Sequence, residues 1–166
     1  MLAGGHHRGL DGVWHREPFT IPGAFSTIGG IISTVHDIVR WNQWLAKAWD
    51  RGSTATQDDA VLPRRYRRLM QIGHTPIPTT LRSGSSRGRL TRCDTTHIES
   101  YGYGLVVEYS PRFGNIAHHS GGYPGYGSDM RWHLDSGIGI VVLADGRYAT
   151  PSIAASTAHA VLLDSA

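Results

Sequence analysis

The sequence predicts an α+β fold, in which a helical first half is followed by a short antiparallel sheet with a terminal helix packed on it. Three observations support this prediction. Apolar residues recur at helical spacing from 33 to 47, strand-like segments between turn signals follow Tyr101, and helical spacing returns after Pro151. We therefore expect residues 1–100 to form part of a helical subdomain with a long polar loop, and residues 101–166 to form the sheet and the C-terminal helix.

The first predicted helix spans Ser33 to Lys47. Thr34 lies three residues before Asp37, which is a capping-box-like start whose carboxylate also favours the positive end of the helix dipole. A short basic helix is predicted over residues 63–71, because Pro63 would occupy the first turn, where proline is favoured. The apolar face of the first helix consists of Ile38, Trp41, Trp44, Leu45 and Ala48.

Residues 73–100 lack apolar periodicity and contain a Gly/Ser/Arg-rich run, which predicts a long loop or a mobile insertion. A loop that flanks an active site is one explanation of its length. Four strands are predicted after it, at Tyr103–Tyr109, Ile116–Ser120, Tyr126–Leu134 and Ile138–Ala144. The tight connection at residues 135–137 predicts a hairpin between the last two strands. The last strand is apolar on both faces, which predicts a central strand covered by helices. A final helix is predicted from Pro151 to Leu163.

The composition excludes several classes of protein. Hydrophobic residues make up 40% and charged residues 17% of the 166 residues, which is typical of globular rather than disordered chains. No apolar run approaches the ~20 residues that cross a bilayer. Residues 1–12 lack the apolar stretch of a signal peptide, so the sequence predicts no cellular location. The single cysteine, Cys93, excludes an internal disulfide and a cysteine-based zinc site.

The net charge of +3 comes with one lysine, Lys47, and fifteen arginines, which cluster at residues 64–68 and 82–92. Such clusters can form a nucleic-acid-binding surface. No nucleic-acid-binding motif accompanies them, so we favour a solvated helix face followed by a solvated loop, and we expect no nucleic-acid partner.

Two histidine pairs raise the question of a metal site. Adjacent residues on a strand point to opposite faces, so His118 and His119 cannot converge on one ion. His6 and His7 are expected to lie in a flexible end of the chain. We therefore expect no metal and no cofactor.

Two segments, the second of which has two parts, carry a resemblance to a known family. Residues 29–41 read Gly-Gly-Ile-Ile-Ser-Thr-Val-His-Asp-Ile-Val-Arg-Trp; residues 101–105 read Tyr-Gly-Tyr-Gly-Leu, and residues 118–126 read His-His-Ser-Gly-Gly-Tyr-Pro-Gly-Tyr. In order and spacing, from about Gly23 to the C-terminus, they resemble the serine hydrolases of the β-lactamase and DD-peptidase superfamily. The form is that of class C β-lactamase-like enzymes, whose relatives include esterases and D-aminopeptidases. The resemblance implies the C-terminal portion of a β-lactamase/transpeptidase-like fold.

The resemblance also implies roles for the residues of the second segment. In this superfamily a serine attacks the carbonyl of a β-lactam, D-Ala-type amide or ester, and water then cleaves the acyl-enzyme. The main-chain N–H of Gly122 would supply half of the oxyanion hole, and His119 would stand where relatives carry a lysine. These two residues are the expected catalytic groups. The expected substrate-binding residues are Ser120, Gly121, Tyr123 and Tyr126.

The superfamily's nucleophile motif, Ser-x-x-Lys, is absent from the sequence. The residue three positions before Lys47 is Trp44, and no tyrosine is followed two positions later by asparagine, as the Tyr-x-Asn motif requires. We therefore expect a truncated, incomplete catalytic domain that is inactive alone, although the parent family is enzymatic. Such a chain should expose a sheet edge and an apolar face. We expect marginal stability, self-association, or a need for a missing N-terminal half.

Other readings of the sequence stay open. Gly84-Ser85-Ser86-Arg87-Gly88 matches the nucleophile elbow of α/β-hydrolases, but its flanks lack the strand and helix that this elbow requires. The chain could instead be a non-catalytic binding module that retains the pocket at residues 119–126, or a basic nucleic-acid-binding surface protein. The expected ligand is a small-molecule or peptide acyl substrate, and the sequence does not distinguish a β-lactam from a D-amino peptide or an ester.

Overall fold

A computed structural model describes residues 2–50, 52, 60–78, 98–146 and 151–166. Within these ranges the fold is α+β, as the sequence predicts. The strands are β1 (His6–Arg8), β2 (Trp14–Arg16), β3 (Thr75–Ile77), β4 (Ile98–Tyr101), β5 (Val106–Ser110), β6 (Gly114–Tyr123), β7 (Tyr126–His133) and β8 (Gly139–Ala144). The helices are α1 (Ser26–Gly29), α2 (Val35–Ala46), α3 (Arg64–Met70) and α4 (Ser152–Asp164), and a 3-10 turn spans Gly23–Phe25.

The main sheet is antiparallel and has the strand order β3-β4-β5-β6-β7-β8. The prediction that residues 73–100 form a loop is wrong at both ends, because β3 and β4 lie there and pair with each other. Both strands are short and β3 contains a proline, so neither carries the alternation that identifies a strand in a sequence. Residues 79–97, which include Ser86, Cys93 and the second arginine cluster, lie outside the described residues.

The last strand corrects a second prediction. β8 is not central, because it is the terminal strand of the described sheet. Its apolar faces indicated burial, but the composition of a strand does not fix how many strands are hydrogen-bonded to it. The predicted hairpin that precedes β8 is confirmed: the main-chain N–H of His133 donates to the carbonyl of Ile138 at 2.9 Å, and Gly137 adopts a φ of 71° in the turn.

The start of α2 follows the predicted capping box. The main-chain N–H of Asp37 donates to Oγ1 of Thr34 at 3.2 Å, and the Thr34 hydroxyl donates to Oδ2 of Asp37 at 2.9 Å. Because these bonds satisfy a donor that the first turn of a helix leaves free, they fix the residue at which α2 begins.

The chain divides into two compact units. One consists of residues 43–119 and 132–138, and its core is built around buried Leu45, Leu105 and Trp132. In this unit the indole Nε1 of Trp132 donates to Oε1 of Gln71 at 3.0 Å, and Nε2 of Gln71 donates to the carbonyl of Leu45 at 2.9 Å. The core is therefore specified by a buried polar network as well as by apolar contacts.

Three arginines of α3 donate hydrogen bonds to main-chain carbonyls in the same unit. Nε of Arg64 and Nε of Arg68 both donate to the carbonyl of Ala48, and Nη1 of Arg67 donates to the carbonyl of Trp44 at 2.7 Å. Arg67 is buried. The prediction of a solvated arginine face is therefore wrong for three of the four residues, because their guanidinium groups satisfy carbonyls where α2 ends.

The other unit consists of residues 1–42, 120–131 and 139–166. Its first residues form the β1–β2 hairpin rather than a flexible end: Nδ1 of His6 lies 3.5 Å from a carboxylate oxygen of Asp145, and Nδ1 of His7 lies 2.7 Å from one of Glu17. Much apolar surface of this unit is exposed. It includes Trp14, Phe19, Ile21, Phe25, Ile28, Ile31, Ile32, Ile153 and Val161.

None of the helices that the structure describes is long and apolar enough to span a membrane.

Candidate active site

Strand β6 extends beyond its neighbour at the position of the predicted site. The last described pair between β5 and β6 joins Val106 to His118, whereas β6 continues to Tyr123. Residues 120–122 are exposed. A strand segment that runs past its neighbour leaves main-chain groups available for an extended ligand. The predicted site residues 119–123 therefore lie on one strand, in a segment that the paired part of β5 does not reach.

His119 is held by a tyrosine from another strand. Its Nε2 lies 3.1 Å from the hydroxyl of Tyr101, and the two rings meet edge to face with centroids 6.0 Å apart. Tyr101 belongs to β4 and to the Tyr-Gly-x-Gly segment, but it was not among the predicted site residues. That segment was the signal in the sequence, although the contact itself depends on how β4 and β6 come together.

The segment after Tyr101 is a turn, which corrects the predicted strand start at Tyr103. The N–H of Gly102 donates to the carbonyl of Leu105 at 2.7 Å, and β5 begins only at Val106. A Cβ at Gly102 would lie 2.7 Å from the carbonyl oxygens of Met70 and Ile72. Glycine is thus required here, since the chain must pass close to α3's carboxyl end before it turns into β5.

The two glycines of the site leave this part of β6 without side chains. A Cβ at Gly121 would lie 3.0 Å from Oγ of Ser128, whose hydroxyl donates to the carbonyl of Gly121 at 3.5 Å. Ser120 and Gly122 are exposed beside it. Because glycine carries no side chain, a ligand can approach the main chain of residues 121 and 122 closely.

A tight turn at Pro124-Gly125 joins β6 to β7. Gly125 has a φ of 85°, and its Cβ position would lie 2.8 Å from Cα of Gly5. The hydroxyls of the two predicted pocket tyrosines bind main-chain carbonyls: that of Tyr123 donates to Thr20 at 3.2 Å and that of Tyr126 to Ala3 at 2.7 Å. These tyrosines therefore anchor the N-terminal segment through their hydroxyls.

Comparison with known proteins identifies the fold. No family model matches the sequence, and no curated protein matches it. Among solved structures, the octameric penicillin-binding protein homologue from Pyrococcus abyssi superposes on 98% of this chain with a TM-score of 0.66 at 22% identity. The penicillin-binding protein from Bacillus halodurans superposes on 96% of it with a TM-score of 0.58 at 17% identity.

The chain has a penicillin-binding-protein-like fold. It covers 31% of the Pyrococcus protein and 40% of the Bacillus protein, so it spans about a third of the length of these structures. At this level of identity the likeness concerns the fold alone.

Within this penicillin-binding-protein-like fold, the structure separates the two adjacent histidines. His119 contacts Tyr101, whereas Nε2 of His118 lies 3.9 Å from Glu99 and 3.7 Å from Glu108. The two glutamates were not singled out in the sequence, because they lie on different strands and no local spacing links them to each other or to His118.

Proposed function

We propose that this chain is the C-terminal part of an acyl-serine hydrolase domain, in which residues 119–123 form one wall of the acyl site. The observation that carries the proposal is the exposed, glycine-containing end of β6 in a penicillin-binding-protein-like fold. In such a reaction a serine oxygen attacks the substrate carbonyl, the leaving group departs, and water releases the acyl group.

The role proposed for Gly122 rests on its main chain. As the carbonyl is attacked, its oxygen gains negative charge, and a fixed N–H donor directed at that oxygen lowers the barrier by about 3–4 kcal/mol. Gly122 is exposed on the part of β6 beyond the last β5 pair, where a carbonyl oxygen can approach an amide. Gly121 beside it keeps side-chain volume away from the acyl group.

His119 is proposed to bind the substrate or to relay a proton. Its contact with the Tyr101 hydroxyl fixes the ring direction, and the tautomer determines which of the two groups donates. A protonated imidazole would offer a charged donor to a substrate carboxylate, which is the function of the lysine in related motifs. Ser120, the next residue, is proposed to hydrogen-bond the same substrate group.

We infer that the nucleophile is supplied by a segment outside this sequence. Lys47, the only lysine, lies in the turn after α2, and Trp44 occupies the position that Ser-x-x-Lys would assign to the serine. The exposed apolar residues of the unit that contains α4 fit the same proposal, because a complementary segment would cover them. A second copy could cover them instead, and the Pyrococcus homologue is itself octameric.

The experiment measures turnover of nitrocefin and of p-nitrophenyl acetate by the purified chain, alone and with a complementary segment that carries Ser-x-x-Lys and Tyr-x-Asn. That segment is expressed from the reading frame upstream or taken from a penicillin-binding relative. We expect no turnover from the chain alone and measurable turnover after complementation. Size-exclusion chromatography distinguishes a complex of the chain with the complementary segment from self-association of the chain. The substrate that turns over identifies the class, β-lactam or ester.

The matched variants are Gly121→Leu and Gly52→Leu. Leucine at 121 fills the proposed acyl site, so we expect turnover of the complemented protein to fall at least about 100-fold. Gly52 lies on an exposed turn, so leucine there should leave turnover unchanged. Turnover by the chain alone, or a folded complex that is unaffected by leucine at 121, would contradict the proposal.

A further inference from the structure

Three ionisable side chains converge on one face of the sheet. Glu99 of β4 pairs directly with Glu108 of β5, and Glu108 pairs directly with Ile116 of β6. Residues two apart on a strand share a face, so His118 projects on the same side as Ile116. The register alone therefore brings Glu99, Glu108 and His118 together on three neighbouring strands. We refer to these three residues as the Glu-Glu-His cluster.

The Glu-Glu-His cluster is compact and buried. Nε2 of His118 lies 3.9 Å from Oε1 of Glu99 and 3.7 Å from Oε2 of Glu108. The side chains of His118, Glu99 and Glu108 are 7%, 5% and 14% exposed. One ligand atom from each residue lies within 4.8 Å of the other two. Three side chains that can bind metals thus share one small volume away from bulk water.

We propose that the Glu-Glu-His cluster binds a divalent first-row transition-metal ion, with zinc as the representative. An imidazole nitrogen combined with two carboxylate oxygens suits zinc, iron or manganese, whereas magnesium and calcium prefer oxygen ligands alone. Three protein ligands with water in the remaining position is an established zinc arrangement.

The distances are compatible with this ion. Ligand atoms about 2.0–2.2 Å from a tetrahedral zinc ion lie roughly 3.4 Å from one another. The two histidine–carboxylate distances of 3.7 and 3.9 Å exceed this value by only a few tenths of an ångström. No separation between the ligand atoms exceeds 4.8 Å, and rotation of a glutamate side chain can shorten it, because the terminal torsion of glutamate is broad.

Charge within the cluster favours the ion as well. Two carboxylates carry two negative charges, and bringing charge out of water is costly unless opposite charge accompanies it. A bound divalent cation would place positive charge next to both carboxylates. The ion would also join β4, β5 and β6 immediately before His119, so it would hold the strand that carries the candidate site.

The test uses the 166-residue chain, stripped with a chelator and titrated with ZnCl₂ by calorimetry, with bound zinc counted by mass spectrometry. We expect one zinc ion per chain and a rise in Tm that saturates at one equivalent, because the ion binds the folded chain. MgCl₂ should bind far more weakly. The readout is binding, so it is independent of whether the chain takes part in acyl transfer.

Two variants test the ligands. Glu108→Gln preserves the side-chain shape and removes the charge, and we expect zinc affinity to fall at least about 100-fold, since even partners outside the coordination sphere change affinity by about 10–100-fold. His15→Asn removes an exposed histidine that lies 3.3 Å from Asp11, and it should leave the affinity unchanged. Circular dichroism checks that both variants fold.

X-ray absorption of the zinc-loaded wild-type chain requires no variant, so it decides the question even if Glu108→Gln does not fold. We expect a shell of nitrogen and oxygen ligands with one imidazole. Absence of zinc binding by the folded wild-type chain, unchanged affinity in folded Glu108→Gln, or an imidazole count other than one would overturn the proposal.

Discussion

The hydroxyl of Tyr101 lies 3.1 Å from Nε2 of His119, and this contact links β4 to the part of β6 that extends past β5. The two residues lie in the two parts of the segment that resembles the family, residues 101–105 and 118–126. The contact brings these parts together, since the Gly102–Leu105 turn positions the tyrosine and β6 positions the histidine. A residue that orients a catalytic group need not touch the substrate to affect the reaction.

Tyr101→Phe tests whether this contact positions His119. We expect turnover of the complemented protein to fall about 10-fold, because the ring loses the bond that fixes its direction. The free energy of unfolding should change by less than about 1 kcal/mol, since the side chain is 40% exposed. Tyr109→Phe, on the similarly exposed tyrosine of β5, is the control. Equal effects of the two variants on turnover would argue against a positioning role.

Features that depend on local sequence patterns were predicted correctly. The capping box at Thr34, the hairpin turn at Gly137 and the extent of α4 depend on a few neighbouring residues, and the structure agrees with them within one or two positions. The glycine-containing motif at 119–125 likewise falls on a strand and its turn.

Features that depend on pairing between distant strands could not be predicted. β3 and β4 are too short to show periodicity, so only their hydrogen-bonded neighbours define them. The position of β8 at the end of the described sheet, the Tyr101–His119 contact and the Glu-Glu-His cluster all follow from strand order and register. A single sequence shows neither the strand order nor the register directly.

The buried amide of Gln71 leads to a stability prediction. Its Nε2 donates to the carbonyls of Leu45 and Arg67, and its Oε1 accepts from the indole of Trp132. Gln71→Ala removes a side chain that is 1% exposed and leaves buried polar groups without their partner, so we expect a loss of about 2–4 kcal/mol. Gln43→Ala, at an exposed position of α2, should cost less than about 0.5 kcal/mol. Urea unfolding measures both.

The arginines of α3 permit a comparison within one cluster. Arg67 is buried and donates to the carbonyl of Trp44, whereas Arg65 is exposed and lies over the ring of Tyr66. We expect Arg67→Ala to cost about 2–4 kcal/mol and Arg65→Ala less than about 0.5 kcal/mol in thermal or urea unfolding. If the cluster bound nucleic acid instead, Arg65→Ala would lower duplex DNA affinity although it leaves the stability unchanged.

The effect on stability of the close approach between Gly125 and Gly5 can be distinguished from the effect of backbone strain. Gly125 and Gly104 have φ values of 85° and 74°. Apart from its chain neighbours, no heavy atom of the described residues lies within 4 Å of a Cβ at Gly104, whereas a Cβ at Gly125 would lie 2.8 Å from Cα of Gly5. Gly104→Ala should therefore cost about 1–2 kcal/mol from strain alone. Gly125→Ala should cost about 1–3 kcal/mol more, because of the clash. Equal losses in unfolding experiments would show that the glycine contact is not needed.

The last helix tests whether the exposed apolar surface serves association or the fold of the chain itself. On α4, Ala155 is fully buried, whereas Ile153 and Val161 are 76% and 60% exposed. The double variant Ile153→Lys with Val161→Lys should change the free energy of unfolding by less than about 1 kcal/mol. It should also reduce self-association of the chain and weaken complementation, because the apolar surface then carries charge.

Ala155→Lys, on the buried side of the same helix, is the matched comparison. It places a charge at a fully buried position, so we expect a loss of more than about 3 kcal/mol. Light scattering gives the mass of each variant and circular dichroism its fold. If the double variant unfolds as readily as Ala155→Lys, the exposed residues belong to the chain's own core. If it folds and associates as the wild type does, the surface has no part in assembly.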